Sequence, residues 1–350
     1  MNPPSISDTV ELLRQLIATP SFSGEEQNTA ALIRRFLERH GTRPQQYLNN
    51  VTATGKHYSP DKPVLLLNSH HDTVRPSSAY TRNPFEPALI DGKLYGLGSN
   101  DAGGALVALA HTFCHFFDRE LPFNIVYAAT AEEEAICRNG ISALWPKLGR
   151  VDFAIVGEPT GMQAAIAERG LIVLDCLAEG RAGHAARNEG ENALYKALDD
   201  IAWFRSYRFP RVSQLMGEVK MTVTVIAAGT QHNVVPAECR YVADIRPVDC
   251  YTNEEIVDIV RRNVASRVTP RSMHLKSSAL PDDCILMRAV ERLNITRYVS
   301  PTTSDISRIA VPALKMGPGE SARSHTADEF IFVREIEEAV EIYSALLYEL

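Results

Sequence analysis

Histidine and carboxylate side chains, the groups that bind divalent metals and transfer protons, follow several apolar segments of this sequence. The segment LLLNSHHDTV (65–74) places two histidines and an aspartate after an apolar run, and VYAATAEEEA (126–135) places three glutamates after another. The other candidates are Asp101 after LYGLGSN, Glu158 after AIVG and His325 after MGPGESARS. Each position alone is more typical of a helix cap or a loop. The repetition of this arrangement in separate segments indicates a single site.

Buried strands and helices must position these side chains. The segments PVLLLNSH, FNIVYAAT and DFAIVGEP are largely apolar, which is typical of strands covered on both faces of a parallel sheet. Helical segments such as DAGGALVALAHTFCHFF alternate with them, and this alternation predicts an α/β domain with a mostly parallel sheet. Ligands bind beyond the carboxyl ends of the strands in such sheets, so we expect the candidate side chains at that edge.

The pattern changes between residues 172 and 277. The segments GLIVLDCLAEG, VKMTVTVIAAG and AECRYVADIRP alternate apolar and polar residues, as antiparallel strands with one solvated face do. Two helical segments, NALYKALDDIAWF and NEEIVDIVRRNVAS, accompany them. We therefore predict a small α+β domain at 172–277, inserted into an α/β domain formed by 1–171 and 278–350.

The candidate side chains suit divalent zinc, cobalt or manganese. They outnumber the three protein ligands of a catalytic tetrahedral zinc ion. They suit two ions about 3.5–4 Å apart that share a carboxylate and a water molecule. Because such ions lower the pKa of the water to about 7, the sequence predicts a dinuclear hydrolytic site.

Neighbouring residues of the two clusters cannot all face the same ions. If the strand alternation continues through SHHDTV, His70 and Asp72 share a face and His71 points away. We therefore predict that His70 is a metal ligand whose imidazole Asp72 orients. In TAEEEA, one glutamate can bind metal while the next acts as general base. The alternative is that the three glutamates are simply exposed.

Composition argues against several other classes of protein. The formal net charge of −7, without a basic cluster, gives no sign of nucleic-acid binding. No apolar run reaches the roughly 18 residues of a membrane span, and no secretory signal is evident. The six cysteines are scattered without CxxC spacing, so we expect neither a thiolate zinc site nor a disulfide framework. These features favour a cytoplasmic location.

The chain resembles the dinuclear-zinc metallopeptidase family that includes acetylornithine deacetylase, succinyl-diaminopimelate desuccinylase, aminoacylase and glutamate carboxypeptidase. The resemblance covers nearly the whole chain, and its motifs occur in family order. They are SHHDTV (69–74), LYGLGSNDAGG (94–104), TAEEEA (130–135), VGEPT (156–160), GRAGHAARNEGENA (180–193), NVVPAE (233–238), TSD (303–305) and GPGESARSHTADE (317–329).

The resemblance implies a role for each candidate residue. Two ions, zinc with cobalt or manganese as alternatives, would be held by five side chains. They are His70 and Glu158 on one ion, Glu134 and His325 on the other, and Asp101 as the bridge between both. Glu133 would be the general base, and Asp72 would orient His70.

The resemblance also implies a three-layer catalytic domain and a ferredoxin-like lid, which would carry a homodimer contact. His184 would stabilise the oxyanion, either from the partner subunit or by closure of the lid within one chain. Arg246, in DIRP, would bind a substrate carboxylate, although an Asp244–Arg246 pair on a solvated sheet face is the alternative. Asn233 and Thr303 would neighbour the substrate.

We therefore predict a metal-dependent amide hydrolase that deacylates a small-molecule N-acyl amino acid. N-acetylornithine, N-acetylcitrulline and N-succinylcitrulline are the expected substrates, in arginine biosynthesis. The alternatives are a succinyl-diaminopimelate desuccinylase, a dipeptidase or carboxypeptidase, and a metal-binding protein without catalysis. Two departures from the family pattern, Leu97 in place of arginine and a segment one residue short after Asp101, affect the local shape beside the bridging carboxylate.

Overall fold

The computed structural model describes residues 3–135, 138–187 and 189–350, which divide into two compact units. Unit 1 comprises Met1–Ile166, Ala279–Tyr298 and Ser304–Leu350, and unit 2 comprises Ala167–Ser278 and Val299–Thr303. The predicted insert at 172–277 lies inside the first segment of unit 2. Among the described residues, no helix is both long and apolar enough to cross a membrane.

The helices and strands are numbered along the chain. The helices are α1 (Ile6–Ile17), α2 (Gln27–Arg39), α3 (Gly104–Phe116), α4 (Ile141–Leu148), α5 (Ala193–Ser206), α6 (Asn253–Asn263), α7 (Ile285–Arg292) and α8 (Val333–Tyr348). The strands are β1 (Gln45–Tyr47), β2 (Asn50–Thr54), β3 (Val64–His70), β4 (Ala88–Ile90), β5 (Lys93–Tyr95), β6 (Asn124–Thr130), β7 (Phe153–Val156), β8 (Ala164–Glu168), β9 (Ile172–Glu179), β10 (Gly183–His184), β11 (Lys220–Ala228), β12 (Val234–Val235), β13 (Glu238–Arg246), β14 (Arg267–Pro270), β15 (Ser278–Ala279), β16 (Arg297–Ser300), β17 (Ala313–Lys315) and β18 (Phe330–Phe332).

A mostly parallel sheet organises unit 1, and its strands β1-β2-β6-β3-β7-β17-β8 are adjacent in that order. The central strands β6, β3, β7 and β17 run parallel to one another, while β1, β2 and β8 pair antiparallel with their neighbours. Every residue of β3, β6 and β7 is buried, as their apolar sequences predict. The predicted α/β class with a mostly parallel sheet is thus confirmed.

Helices cover both faces of this sheet because the strand residues alternate between two apolar clusters. Leu65 and Leu67 of β3 belong to a large cluster that also contains apolar residues of α1, α2, α3 and α8. Val64 and Leu66 point to the opposite face, where they join Ile141 of α4 in a smaller cluster. The α/β domain therefore has three layers, and its central strands are held rigidly from both sides.

Unit 2 contains a four-stranded antiparallel sheet with the order β11-β13-β9-β14. Along the chain its elements follow the order β9-α5-β11-β13-α6-β14, which is the β-α-β-β-α-β order of ferredoxin-like domains. A capping box between Thr252 and Glu255 begins α6, whose buried face packs in the core of this unit. Strand β14, absent from the sequence prediction, completes the sheet at one edge.

Candidate metal centre

The predicted ligands all lie in unit 1, close to the carboxyl ends of the central strands. His70 is the last residue of β3, Glu134 follows β6, and Glu158 follows β7. Asp101 lies in a short π-helical turn, Ser99–Gly103, directly before α3. His325 follows a 3-10 turn formed by Ser321–Arg323. Parallel strands end at a common edge, so elements far apart in sequence deliver their side chains to one place.

The five side chains form two overlapping triads, His70–Asp101–Glu158 and Asp101–Glu134–His325. Within each triad the ligand atoms lie within 4.8 Å of one another. The Nε2 atom of His70 is 3.3 Å from Oδ1 of Asp101 and 4.0 Å from Oε1 of Glu158. The Nε2 atom of His325 is 3.0 Å from both oxygens of Glu134 and 3.7 Å from Oδ2 of Asp101.

Asp101 therefore presents one carboxylate oxygen to each triad. A donor set of imidazole nitrogens and carboxylate oxygens arranged in this way fits two neighbouring divalent ions with Asp101 between them. The grouping of these residues agrees with the predicted allocation of ligands, and their roles as ligands remain predictions.

Asp72 contacts His70, as predicted, and also binds the backbone of the glutamate segment. Its Oδ1 atom is 3.4 Å from Nδ1 of the buried His70, which itself lies 3.0 Å from the Asp72 backbone oxygen. A proton on Nδ1 shared with these acceptors leaves Nε2 available for metal. The Asp72 carboxylate also accepts hydrogen bonds from the backbone N–H groups of Glu133 and Glu134, each at 3.0 Å. A single buried carboxylate thus positions both His70 and the glutamate pair.

His71 points away from both triads and has a separate set of partners. Its Nδ1 atom lies 2.9 Å from Oγ1 of Thr29, and its Nε2 atom lies 3.0 Å from the backbone oxygen of Asn49. Burial lowers the pKa of His71 to about 4, so the ring is neutral at physiological pH. Both ring nitrogens thus have hydrogen-bond partners outside the triads. This agrees with the prediction from strand alternation that His71 points away from the site.

The three consecutive glutamates also have different surroundings. Glu132 accepts hydrogen bonds from the backbone and side-chain nitrogens of Asn139 at 3.0 and 2.9 Å, and so holds Asn139 in place. Glu134 faces His325, whereas Glu133 lies among negative groups. Desolvation raises the pKa of Glu133 well above its usual range, and the charges of Glu158, Glu134 and Asp305 raise it further. A cation beside Glu133 would oppose this shift and leave a carboxylate suited to proton transfer.

Without cations, the negative charges of the triads favour the protonated forms of Glu158 and His325. Burial, together with the negative charges of Asp101 and Glu134, raises the pKa of Glu158 to about 8. The hydrogen bond to Glu134 raises the pKa of His325 to about 9. At neutral pH the cation-free site therefore retains protons on groups that must lose them to bind a metal.

The remaining predicted site residues lie in unit 2. His184 ends β10, which pairs with β12, and Asn233 accepts a hydrogen bond from the backbone of Ala185 at 3.0 Å. His184 and Asn233 are therefore neighbours within this unit. Thr303 donates its hydroxyl hydrogen to the backbone oxygen of Arg169 at 3.0 Å.

Arg246 adopts the paired arrangement that was the alternative to substrate binding. Its Nε and one terminal nitrogen donate to the two oxygens of Asp244 at 2.7 and 3.0 Å. Both residues are half-buried on β13. Asp244 therefore fixes the orientation of the Arg246 guanidinium group through two hydrogen bonds.

Two buried carboxylates near the site were not predicted. Asp305, in the quoted TSD motif, accepts the hydroxyl hydrogen of Thr130 at 2.7 Å through one oxygen. Its other oxygen has no hydrogen-bond partner among the residues that the structure describes. Glu329, in the quoted HTADE segment, binds backbone N–H groups of the turn that carries Asp101. The motifs contained both residues, but no local pattern distinguished them from ordinary loop carboxylates.

We expect replacement of His70 and His71 by alanine to have different effects. His70→Ala should lower the metal content from two ions to one per chain because one triad loses its nitrogen ligand. His71→Ala should retain both ions but lose about 1–3 kcal/mol of unfolding free energy, since the buried ring and its hydrogen bonds to Thr29 and Asn49 are removed. Metal analysis after dialysis, together with chemical denaturation, distinguishes the two. If His71→Ala lost a metal ion and His70→Ala did not, the assignment of His70 as the ligand would be wrong.

We also expect metal binding to release protons at neutral pH. Because the raised pKa values of Glu158 and His325 are those of the metal-free folded chain, protonation of these groups stabilises that state most at low pH. This contribution is lost as the pH rises through about 8 to 9, whereas metal affinity increases over the same interval. Calorimetric titration with Zn²⁺ in buffers of different ionisation enthalpy should show release at pH 7 that diminishes above pH 9. Equal binding enthalpies in all buffers at pH 7 would count against it.

Comparison with known proteins identifies the family. Residues 66–349 match Peptidase family M20/M25/M40. The acetylornithine deacetylase of Proteus mirabilis (strain HI4320) is 27% identical over 377 residues, covering 97% of this chain and 95% of the relative. The acetylornithine deacetylase of Shigella sonnei (strain Ss046) is 27% identical over 378 residues, covering 97% of each chain.

Solved structures share the fold over nearly the whole chain. A tripeptidase from Staphylococcus aureus superposes with a TM-score of 0.80 at 18% identity, covering 99% of this chain and 98% of that one. The YXEP protein of Bacillus subtilis, described as a dinuclear metal-binding peptidase of the M20 family, has a TM-score of 0.71 at 15% identity and covers 98% and 97%. The chain therefore belongs to peptidase family M20/M25/M40 and is a metal-dependent hydrolase that acts on amide bonds.

Proposed function

We propose that this hydrolase removes the acyl group from an N-acylated amino acid, with N-acetylornithine, N-acetylcitrulline or N-succinylcitrulline as substrate in arginine biosynthesis. The observation that carries the proposal is the pair of triads that share Asp101, with Glu133 beside them. The full-length similarity to two acetylornithine deacetylases supports an acylated amino acid as the substrate class. The second candidate is a peptidase, which the structural similarity to a tripeptidase favours.

Five residues would hold the metal ions in this proposal, with zinc as the first choice and cobalt or manganese as alternatives. His70 and Glu158 would serve one ion, Glu134 and His325 the other, and Asp101 both. When bound, divalent ions of this kind polarise a carbonyl oxygen and make water more acidic. Asp72 would keep the His70 imidazole in the tautomer that leaves Nε2 free.

Glu133 carries the proton transfers in the proposed reaction. Its carboxylate accepts a proton from the attacking water, whose oxygen bonds to the acyl carbon. As the carbon–nitrogen bond breaks, the same carboxyl returns the proton to the leaving amine. The products are a free carboxylic acid and a free amino acid, so one water is consumed for each amide bond. His184 would donate to the developing oxyanion, while Arg246, Asn233 and Thr303 would bind the rest of the substrate.

A substrate panel tests this function. The zinc- and cobalt-loaded protein is assayed with N-acetylornithine, N-acetylcitrulline, N-succinylcitrulline, N-succinyl-diaminopimelate and a set of di- and tripeptides. We expect the highest kcat/KM on an acylated amino acid of the first three. Glu133→Gln should lower kcat by about 10²–10⁴-fold while both ions remain bound, because it removes only the proton acceptor. Preference for peptides would favour the second candidate, and full activity of Glu133→Gln would refute the assigned base.

We further propose a homodimer formed through unit 2. Strand β11 lies at the edge of the unit 2 sheet, where Val225 and Ile226 are 53% and 47% exposed. An exposed apolar edge strand pairs readily with another strand, and pairing with its own copy gives a closed two-fold assembly. In such a dimer, His184 could serve the metal centre of the partner subunit.

Mixing two inactive variants tests the dimer and the shared site together. If His184 acts in the partner's site, mixed dimers of His184→Ala and Glu133→Gln contain one intact site, so activity should reappear on mixing after subunit exchange. Light scattering on the wild type should show twice the chain mass, and Val225→Lys should shift it toward the monomer. A fully active monomer would exclude both the interface and the shared site.

We also propose a cytoplasmic location. The cysteines that the structure describes, Cys114, Cys176, Cys239, Cys250 and Cys284, are all free thiols. Free thiols persist in reducing compartments, which supports this placement.

A further inference from the structure

The turn that carries Asp101 depends on a convergence of backbone N–H groups. Asp101 lies inside the π-helical turn with extended backbone angles, φ −115° and ψ 102°, and Gly98, the residue directly before the turn, has a φ of 75°. The N–H groups of Gly98, Asn100 and Asp101 point toward one spot rather than toward carbonyl oxygens of a regular helix. Converging N–H groups of this kind form an anion-binding concavity.

Glu329 fills that concavity. Its Oε2 atom accepts the N–H of Gly98 at 3.0 Å, and its Oε1 atom accepts those of Asn100 and Asp101 at 2.8 and 2.9 Å. The side chain is buried, with 2% of its surface exposed. A buried carboxylate that is fully hydrogen-bonded in this way is a strong local restraint, because an alternative position would leave both the charge and the N–H groups unpaired.

The chain places Glu329 there through a second, independent set of contacts. Glu329 directly precedes β18, which pairs with β5, and its backbone oxygen accepts the N–H of Gly96 at 2.9 Å. It also follows His325 by four residues, so a single segment supplies a predicted ligand and the anchor of the Asp101 turn. Glu329 therefore links the position of Asp101 to that of His325, alongside the hydrogen bonds that the Asn100 side chain makes with Glu320 and Ser324.

We propose that Glu329 is a positioning residue for the bridging carboxylate, holding Asp101 where it can serve both metal ions. The inference rests on the proposed metal centre and adds a residue to it. Because Asp101 belongs to both triads, a shift of the turn would weaken both ion sites together, whereas loss of a ligand such as His325 would affect one.

Unit 2 contains a matched control. Asp200, 6% exposed, accepts the backbone N–H groups of Ala265 and Ser266, each at 2.9 Å, and is thus another buried carboxylate that holds a backbone segment. It belongs to the other unit and to neither triad. Asp200→Asn should therefore reproduce the general loss of stability from removing such an anchor without changing metal binding.

The test is a metal titration of Glu329→Gln, measured with Zn²⁺ by calorimetry and with Co²⁺ by visible absorption, in the full chain and without substrate. The amide cannot accept all three N–H bonds, since its NH₂ group must face at least one of them. We expect a loss of metal affinity of about 10–100-fold in both binding steps and an altered Co²⁺ spectrum. Asp200→Asn should keep the wild-type affinity and spectrum at a similar loss of thermal stability.

Glu329→Asp provides the same test if the glutamine variant does not fold, because it keeps the charge but is one methylene too short to reach all three groups. Wild-type affinity and spectrum in a folded Glu329→Gln or Glu329→Asp would overturn the proposal, as would an equal loss of affinity in Asp200→Asn. Since no substrate is used, failure of the proposed deacylase reaction would appear in the substrate panel alone and would leave this result unaffected.

Discussion

The desolvation and mutual repulsion of clustered carboxylates, which are buried or half-buried, are the main physical constraint at the carboxyl edge of the unit 1 sheet. Asp101, Glu133, Glu134 and Glu158 lie together at the carboxyl edge of the sheet, with His70 and His325 as the facing imidazoles. Burial raises the pKa values of three of them, Glu133, Glu134 and Glu158, which shows that the folded chain disfavours their charged forms. Divalent cations would offset this penalty, so an arrangement that is unfavourable in the cation-free fold fits the binding of metal ions.

Other carboxylates hold in place the segments that carry these clustered acidic residues. Asp72 binds the backbone of Glu133 and Glu134, Glu132 binds Asn139, and Glu329 binds the turn of Asp101. In each case carboxyl oxygens accept hydrogen bonds from backbone N–H groups that the irregular backbone leaves without a regular partner. The acidic residues thus fall into two groups: those that face the triads and those that hold the loops presenting them.

The two units carry residues with different predicted roles. All predicted metal ligands and the predicted base lie in unit 1, while the residues expected to contact substrate lie in unit 2. Relatives with this fold carry names as different as acetylornithine deacetylase and tripeptidase. One fold can thus carry differently named activities, because function depends on the groups at the site rather than on the fold.

Much of this was determined by the sequence alone. Continuous apolar segments predicted the buried parallel strands, strand ends predicted where polar side chains would gather, and the two-residue period separated His70 and Asp72 from His71. These features are local, so a short window of sequence contains them. The allocation of Asp101 to both ions, shared with His325 more than 200 residues away along the chain, followed only from the resemblance of motifs.

Only the tertiary structure shows which other side chains hold the segments that carry the predicted ligands. The hydrogen bonds of Asp72 to the backbone of Glu133 and Glu134 and the anchoring of the Asp101 turn by Glu329 have no local signature, whereas the Asp244–Arg246 pair was one of two alternatives that the strand pattern left open. Glu329 and Asp101 are 228 residues apart, and the pairing of β18 with β5 brings them together. The local sequence around a loop carboxylate does not show whether the side chain faces solvent or accepts hydrogen bonds from three N–H groups. The groups near it depend on how strands distant in sequence pair.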